Sequence, residues 1–265
     1  VSDTLFAQLA DDWPLLGEPL TASQQEQFAR YADLIVEWNQ RINLTAIDDA
    51  EGIATRHFLD SLSVLAGIDD QPAPLSLIDV GTGAGFPGIP LAIVRPAWQV
   101  TLLEATRKKV DFLGLVARDL QLDNVTPLWG RAEEIGRQPA HREQYDVAVA
   151  RAVAALPVLA EFCLPFVRVG GQWLAQKGPK AEEELAQSAN ALGQLGGRLA
   201  RVEHLSIPGL PDATRTLVVA EKVRRTPPGF PRRPGPASAR SSPGHHPSDS
   251  NSRFTLFVFF TRNSA

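Results

Sequence analysis

A glycine-rich run directly after an apolar, strand-like run constrains the fold of this chain more than any other feature. Residues 77–88 have the sequence LIDVGTGAGFPG, which places four glycines within eight residues. Glycine adopts positive φ without strain and lets a ligand approach the backbone closely, and Pro87 suits the first turn of a following helix. The run therefore predicts a strand, a ligand-binding turn and a helix at the edge of a parallel sheet.

Strand-like and helix-like patterns alternate along the chain around and after this run. Apolar runs predict strands at residues 75–80, 100–103, 125–129, 145–150, 172–176 and 217–220. Helical patterns fall between them, at residues 88–94, 107–120, 131–136, 155–167 and 180–195. Because strands separated by helices form parallel sheets with right-handed crossovers, the pattern predicts a doubly wound, mostly parallel α/β fold.

Two helical patterns precede the glycine run. The first covers residues 21–44, with Ser23 and Glu26 predicted as its capping box, and the second lies near residues 50–66, before a linker that contains prolines. Apolar residues of the first recur at helical spacing: Phe28, Tyr31, Ile35, Trp38 and Ile42. We therefore expect an N-terminal helical extension at residues 1–70, a main α/β domain at 71–223 and a tail at 224–265.

Charge is unevenly distributed along the chain. The net charge is −4, yet residues 224–265 contain seven arginines and one aspartate, so this tail is basic and the remainder is acidic. Repeated Pro, Ser and Arg predict a disordered tail, and the apolar run at 254–260 has no partner in the strand pattern. Since phosphate contacts supply much of the affinity for nucleic acid, an RNA partner needs evidence other than charge.

The single cysteine limits the possible chemistry and location. Cys163 excludes an intramolecular disulfide and a zinc site built from several cysteines. Its apolar neighbours predict a core residue, which argues against a catalytic thiolate. No apolar stretch approaches the roughly 18 residues that span a bilayer, and a secretory leader is not evident. We therefore expect a soluble, cytoplasmic protein.

Two acidic residues distinguish between possible nucleoside cofactors. Asp79 precedes the first glycine by two residues. A carboxylate there suits a ligand with a cationic sulfonium and an amino-acid end, whereas a pyrophosphate favours a helix N-terminus without a nearby acid. Glu104 ends the second strand, where an acid can accept from both ribose hydroxyls. The pair favours S-adenosylmethionine, and a nicotinamide dinucleotide remains an alternative that titration with both cofactors would decide.

Three more strand ends point to the same edge of the sheet. Ala132 and Glu133 follow the third strand, where an amide and a carboxylate could contact adenine; the alternative is that the acid only favours a helix N-terminus. Arg151 ends the fourth strand, with a surface salt bridge as its alternative role. Lys177 ends the fifth strand and could contact phosphate or a base.

Taken together, these motifs resemble the RsmG (GidB) family. The resemblance covers about residues 20–235. It rests on Asn39 and on five segments, at residues 43–45, 56–61 (RHFLDS), 79–88 (the glycine run), 151–152 and 177–178. It implies a Rossmann-like methyltransferase fold and methyl transfer from S-adenosylmethionine to N7 of a guanine in 16S ribosomal RNA of the small subunit. By position it implies cofactor contacts at Gly81, Phe86, Glu104, Ala132, Glu133 and Arg151. We add Asp79, Gly83 and Gly85 to this candidate set. The basic motif at 231–235 also resembles the family, and residues 236–265 depart from it.

Four N-terminal residues are candidates for contact with the substrate. Asn39 and Asn43 lie one helical step apart and could contact RNA or cap the helix end. Arg56 is a candidate phosphate contact. His57 could face the substrate, or it could simply bond Asp60 or a helix cap.

The expected mechanism needs no general base, because guanine N7 carries a lone pair and no proton at neutral pH. The enzyme would act mainly by proximity and alignment, with Arg151 and Lys177 as orienting residues, no metal, and a monomeric state. A methyltransferase acting on a small molecule is the main alternative, favoured by the acidic domain. A non-catalytic RNA-binding module is the other, and the acids at the strand ends argue against it.

Overall fold

A seven-stranded sheet forms the centre of the protein. The computed structural model describes residues 6, 10, 13–68, 74–151, 154–178 and 181–233. The strands are β1 Ser76–Val80, β2 Gln99–Glu104, β3 Val125–Trp129, β4 Tyr145–Arg151, β5 Val167–Lys177, β6 Gly197–Ile207 and β7 Leu210–Lys222. Their order is β3-β2-β1-β4-β5-β7-β6. Strands β1 to β5 pair in parallel, and β7 pairs antiparallel with both β5 and β6. The predicted doubly wound, mostly parallel sheet is confirmed.

Helices cover both faces of this sheet. A 3₁₀ turn at Pro14–Leu16 precedes α1 at Ala22–Ile42. A continuous helical segment, α2, is made of the pieces Ala50–Gly52, Ile53–Leu59 (π-helical), Asp60–Leu62 and Ser63–Gly67. The remaining helices are α3 Gly88–Val94, α4 Arg107–Asp119, α5 Ala132–Ile135, α6 Leu156–Cys163 and α7 Ala181–Leu195. The helix predicted at 155–167 ends at Cys163, because the proline at 165 has no amide N–H with which to continue the helical hydrogen bonds.

The N-terminal helices share one apolar core with the sheet. Phe28, Tyr31 and Ile35 of α1 are buried as predicted, and they belong to the same cluster as Leu77 of β1. The predicted capping box is wrong in register. Thr21 is the N-cap: its hydroxyl accepts from the Gln24 amide, and the Gln24 side chain accepts from the Thr21 amide. The cap lies two residues earlier because Thr21 already has extended backbone geometry.

Strand β6 was not predicted from the sequence. Most of its residues are exposed or half-buried, and it lies at the edge of the sheet with β7 as its neighbour. Charged side chains are common on such edge strands, so β6 lacks the apolar run by which buried strands are recognised. The late strand predicted at 217–220 is confirmed as the buried part of the longer β7.

Residues 224–233 lie against the domain. The guanidinium of Arg142 donates to the carbonyls of Thr226, Pro227 and Phe230 at 2.8–3.1 Å, and Arg232 forms a two-pronged ion pair with Glu161. The prediction of disorder is therefore wrong for these ten residues, because their carbonyls find donors that composition does not reveal. The predicted tail beyond them, including the run at 254–260, lies outside the described residues.

Candidate active site

The glycine loop between β1 and α3 forms the floor of the candidate site. Gly81, Gly83 and Gly85 have φ values of 75°, 63° and 107°, which only glycine adopts readily. The Gly81 amide donates to Leu103 at 2.9 Å. The Gly83 amide donates to Glu104 Oε2 at 3.1 Å, so the end of β2 holds the loop. The two acid-bearing strands and the loop thus meet at the carboxyl edge of the sheet, as predicted.

The glycines of the loop face different surroundings. A Cβ placed on Gly83 would meet no atom within 4 Å, so this position faces open space. A Cβ on Gly85 would lie 2.5 Å from Ile89 Cδ1 and 2.6 Å from the Tyr31 hydroxyl. Tyr31 itself donates to the carbonyl of Ala84 at 2.6 Å. Gly83 therefore leaves room for a ligand, whereas Gly85 is required by packing against α1.

Asp79 is completely buried at the end of β1. Its Oδ2 accepts from the Thr82 hydroxyl at 2.6 Å and from the Gly88 amide at 2.8 Å. Its Oδ1 is buried with no hydrogen-bond partner among the described residues. Burial raises the pKa of Asp79 to about 6, against the opposing effect of these two hydrogen bonds. One oxygen thus organises the loop, and the other has no partner among the residues that the structure describes.

The Glu104 carboxylate accepts one hydrogen bond from the glycine loop and one from the residue two positions after it. The residue is 8% exposed, and its Oε1 accepts from the Thr106 amide at 2.7 Å. A carboxylate oxygen accepts more than one hydrogen bond, so these contacts leave acceptor capacity for ribose hydroxyls.

Phe86 lies at the centre of an aromatic and cationic cluster. The His57 ring stacks on it with centroids 4.5 Å apart and planes at 18°, and the Arg151 guanidinium carbon lies 4.8 Å from its centroid. Phe86 is 4% exposed, so little of the ring is open to solvent. The loop is therefore joined to α2 and to the end of β4.

Arg151 is held by α2 rather than by a surface salt bridge. Its Nη1 lies 3.4 Å from both the carbonyl of Arg56 and Oδ2 of Asp60. Asp60 also accepts from Arg215 Nε of β7 at 2.6 Å. Sequence reasoning missed this role for Asp60 and Arg215, since 155 residues separate the two and no local pattern joins them.

Ala132 and Glu133 begin α5 just beyond β3, and both are half-exposed. They lie at the predicted edge, next to the end of β2, because Trp129 of β3 pairs in register with Glu104. Trp129 is 54% exposed, and its Nε1 donates to the Ala105 carbonyl at 3.0 Å. This arrangement is compatible with both the adenine role and the helix-terminus role proposed for Glu133.

Lys177 is engaged within the protein. Its Nζ donates to the Ala154 carbonyl at 2.8 Å and pairs with Glu184 at 2.9 Å. The side chain is 11% exposed. A contact with substrate therefore requires Lys177 to share or exchange these partners.

Two of the four N-terminal candidates, Asn39 and His57, are connected through Thr45. Asn39 Oδ1 accepts from the Thr45 amide at 2.9 Å, and the Thr45 hydroxyl bonds His57 Nε2 at 2.8 Å. Asn43 ends α1 in the left-handed region, with φ 48°. Both asparagines thus act at the helix end, which was one of the two predicted roles. Arg56 is exposed.

His57 bonds the Thr45 hydroxyl, so the predicted bond to Asp60 is wrong. Its Nδ1 is buried with no partner in the part of the chain that the structure describes. Burial lowers the pKa of His57 to about 3, with a further contribution from the nearby charge of Arg151. The imidazole is therefore neutral at physiological pH.

Three further observations concern the cysteine, possible metal ligands and possible membrane-spanning helices. Cys163 is fully buried, which confirms it as a core residue, and burial raises the pKa of its thiol. Within the described ranges, no three His, Cys, Asp or Glu side chains are grouped so that they could hold a metal ion. Among these same residues, no helix has the length and apolar character to cross a membrane.

The model of the family described as rRNA small subunit methyltransferase G (GidB) matches residues 24–217. The chain belongs to this family. Its relatives named ribosomal RNA small subunit methyltransferase G include that of Alkaliphilus metalliredigens, 46% identical over 88% of this chain and 96% of the relative. That of Deinococcus radiodurans is 51% identical over 81% of this chain and 84% of the relative. The resemblance predicted from the motifs is confirmed.

Solved methyltransferase structures are more distant. Aeropyrum pernix fibrillarin with bound S-adenosyl-L-methionine is 22% identical, with a TM-score of 0.46 over 61% of this chain and 72% of that chain. The precorrin-6y C5,15-methyltransferase of Geobacter metallireducens is 12% identical, with a TM-score of 0.46 over 68% of this chain and 92% of that chain. Membership of the family rests on the sequence relatives.

Proposed function

We propose that this protein transfers a methyl group from S-adenosylmethionine to N7 of a guanine in 16S ribosomal RNA of the small subunit. The observation that carries the proposal is the meeting of the glycine loop, Glu104 and Arg151 at one edge of the sheet, in a chain of the rRNA small subunit methyltransferase G family. Ligands of doubly wound sheets bind at this carboxyl edge, where the strand order reverses. Here the reversal lies between β1 and β4.

The residues at this edge fit S-adenosylmethionine, which supplies an electrophilic methyl group when bound. We assign Glu104 to the ribose and Ala132 and Glu133 to adenine, which is supported by their neighbouring positions at the ends of β2 and β3. The unpartnered Oδ1 of Asp79 suits the cationic amino-acid end. The open side of Gly83 leaves space for the ligand.

An acceptor that needs no base is consistent with the side chains of His57 and Cys163. His57 is neutral with a pKa of about 3, and the Cys163 thiol is buried in the core. Neither is suited to remove a proton or to attack a base. Guanine N7 needs no base because its lone pair is free at neutral pH. Alignment by Arg151, and by Lys177 if it exchanges partners, then provides the rate increase.

Exposed cations near this edge support an RNA substrate in spite of the net charge of −4. Arg107 and Lys108 follow β2, Arg131 follows β3, and Arg56 lies in α2 beside Arg151; all four are exposed. Phosphate contacts depend on local rather than net charge. A small-molecule substrate, the second candidate, is favoured only by that net charge. The proposal includes a cytoplasmic location and a monomer.

Replacing the target guanine by 7-deazaguanine tests the acceptor directly. The replacement removes the N7 lone pair and keeps the Watson–Crick edge, so RNA binding should survive and methyl transfer should stop. Undiminished transfer to the deaza substrate would rule out N7. Mapping 7-methylguanine in RNA from a strain that lacks this gene tests the substrate class: an unchanged modification pattern would favour the small-molecule alternative.

A further inference from the structure

Asp60 lies between two arginines that come from different strands. Its Oδ1 accepts from Arg215 Nε at 2.6 Å, and its Oδ2 lies 3.4 Å from Arg151 Nη1. The Asp60 side chain is 5% exposed, whereas those of Arg151 and Arg215 are 18% and 25% exposed. One buried carboxylate thus pairs with two arginines whose side chains are partly exposed to solvent.

The backbone of Asp60 is held in place by contacts with Gln176 of β5 and with Ser63. The buried Gln176 of β5 donates through Nε2 to the Asp60 carbonyl and, at 2.9 Å, to the Ser63 hydroxyl. Ser63 in turn donates to the same carbonyl at 2.7 Å. The backbone that carries the carboxylate is therefore tied to the sheet, so the carboxylate is a fixed reference point for both arginines.

Arg151 has N–H groups that are not engaged by any of the residues that the structure describes. Only its Nη1 has partners within the described residues, namely the Arg56 carbonyl and Asp60. The guanidinium carbon lies 4.8 Å from the Phe86 centroid. The Arg151 contacts with α2 therefore hold a guanidinium that also lies against Phe86 of the glycine loop.

We propose that Asp60 is a positioning residue for methyl transfer, which holds the Arg151 guanidinium against Phe86 of the glycine loop. This inference rests on the proposed function. Without the carboxylate, two neighbouring guanidiniums would lack their shared counter-charge and would move apart. Misplacement of an aligning group by about 1 Å costs on the order of 100-fold in rate.

A double-mutant cycle tests the route through Arg151. Single-turnover methyl transfer to small ribosomal subunits that lack the modification is measured for wild type, Asp60→Asn, Arg151→Ala and the double variant. Asp60→Asn should slow transfer by about 10- to 100-fold. In a protein that already carries Arg151→Ala, adding Asp60→Asn should slow transfer by less than about twofold. The effects of two substitutions on the activation free energy are not additive when the residues act through each other. The same loss in both backgrounds would overturn the proposal.

Asp146→Asn is the matched control. Asp146 lies near the amino end of β4, at the opposite edge from Arg151, and accepts from Arg168 Nε at 2.6 Å. The variant loses an aspartate–arginine ion pair, and Asp146 lies on the same strand as Arg151. We expect a lower melting temperature and a transfer rate within about twofold of wild type, since alignment at the far edge is unaffected. A rate loss equal to that of Asp60→Asn would mean that general destabilisation explains both.

Asp60→Glu covers the case in which Asp60→Asn does not fold. It keeps the charge that both arginines need and displaces the carboxylate by about 1.5 Å, one carbon–carbon bond. A slower transfer rate with an unchanged melting temperature is expected, and full activity would contradict a positioning role. If the wild-type protein transfers no methyl group to the subunits, the proposed function is wrong, independently of the role of Asp60. The affinity for S-adenosylhomocysteine is then measured for the same four proteins. If the losses of affinity caused by Asp60→Asn and Arg151→Ala are additive, Asp60 does not position Arg151.

Discussion

The imidazole of His57 lies flat against the ring of Phe86, with centroids 4.5 Å apart and planes at 18°. His57 belongs to α2 and Phe86 to the glycine loop, so this stack joins the N-terminal helical part to the ligand-binding turn. Tyr31 of α1 makes a second connection through its bond to the Ala84 carbonyl. The N-terminal helices are thus part of the candidate site and not only an extension beside it.

Acid should weaken the fold through His57. Its pKa is about 3 in the native state because of burial, against 6.5 for the free side chain. Between these values the unfolded state binds more protons, so the free energy of unfolding falls as pH drops below about 6.5, by at most about 1.4 kcal/mol per pH unit. Urea unfolding of wild type and His57→Gln at about pH 7.5 and about pH 5 measures this. The stability advantage of wild type should shrink at the lower pH; a constant difference would contradict the shifted pKa.

Alanine at two glycines of the loop should mainly affect different properties: cofactor affinity at Gly83 and stability at Gly85. Gly83→Ala meets open space and should cost only the strain of positive φ, about 1–2 kcal/mol, while it obstructs the cofactor. Gly85→Ala would push a methyl group into Ile89 and Tyr31 and should lower the melting temperature far more. Calorimetric titration with S-adenosylmethionine and thermal unfolding separate the two effects. A folded Gly83→Ala protein with full affinity would place the ligand elsewhere.

Local sequence patterns were sufficient to predict the sheet and the acids at its edge. Asp79 and Glu104 follow apolar runs, and the carboxyl ends of parallel strands meet at one edge. The edge strand β6 was missed because its mostly exposed residues carry no apolar run. Whether the predicted residues contact cofactor or RNA remains a prediction.

Contacts between distant segments could not be predicted in this way. The Asp60–Arg215 pair joins residues 155 positions apart, and the fixing of residues 226–230 depends on carbonyls that meet Arg142. Backbone carbonyls are present at every residue, so composition does not show which of them will find a donor. The tail was assigned to disorder for this reason.

Truncation should distinguish the packed part of the tail from the remainder. A chain that ends at Arg233 keeps the Arg232–Glu161 pair and the Arg142 contacts, so its melting temperature should equal that of the full chain. A chain that ends at Val223 loses them and leaves the buried Lys222 without its Thr226 partner, so it should unfold at a clearly lower temperature. Equal melting temperatures for the two truncated chains would show that residues 224–233 add no stability.

Cofactor affinity should depend on pH through Asp79. Burial raises its pKa to about 6 in the free protein, so the carboxyl is largely protonated below that pH. A cationic ligand near Oδ1 favours the ionised form and lowers the pKa in the complex. Binding then releases a proton at low pH, and affinity for S-adenosylmethionine should rise by at most about tenfold per unit up to about pH 6 and level off above it.

Asp79→Asn is the control for this dependence, because its side-chain oxygen can still accept from Thr82 and Gly88 while no proton is exchanged. Affinity measured by calorimetry in buffers of different ionisation enthalpy should show proton release for wild type and none for the variant. The variant should also gain stability relative to wild type as pH rises from about 4 to about 6, since ionising a buried carboxyl costs folding free energy there. A pH-dependent affinity shared by both proteins would mean that another group titrates, and that the cationic end of the cofactor does not approach Asp79.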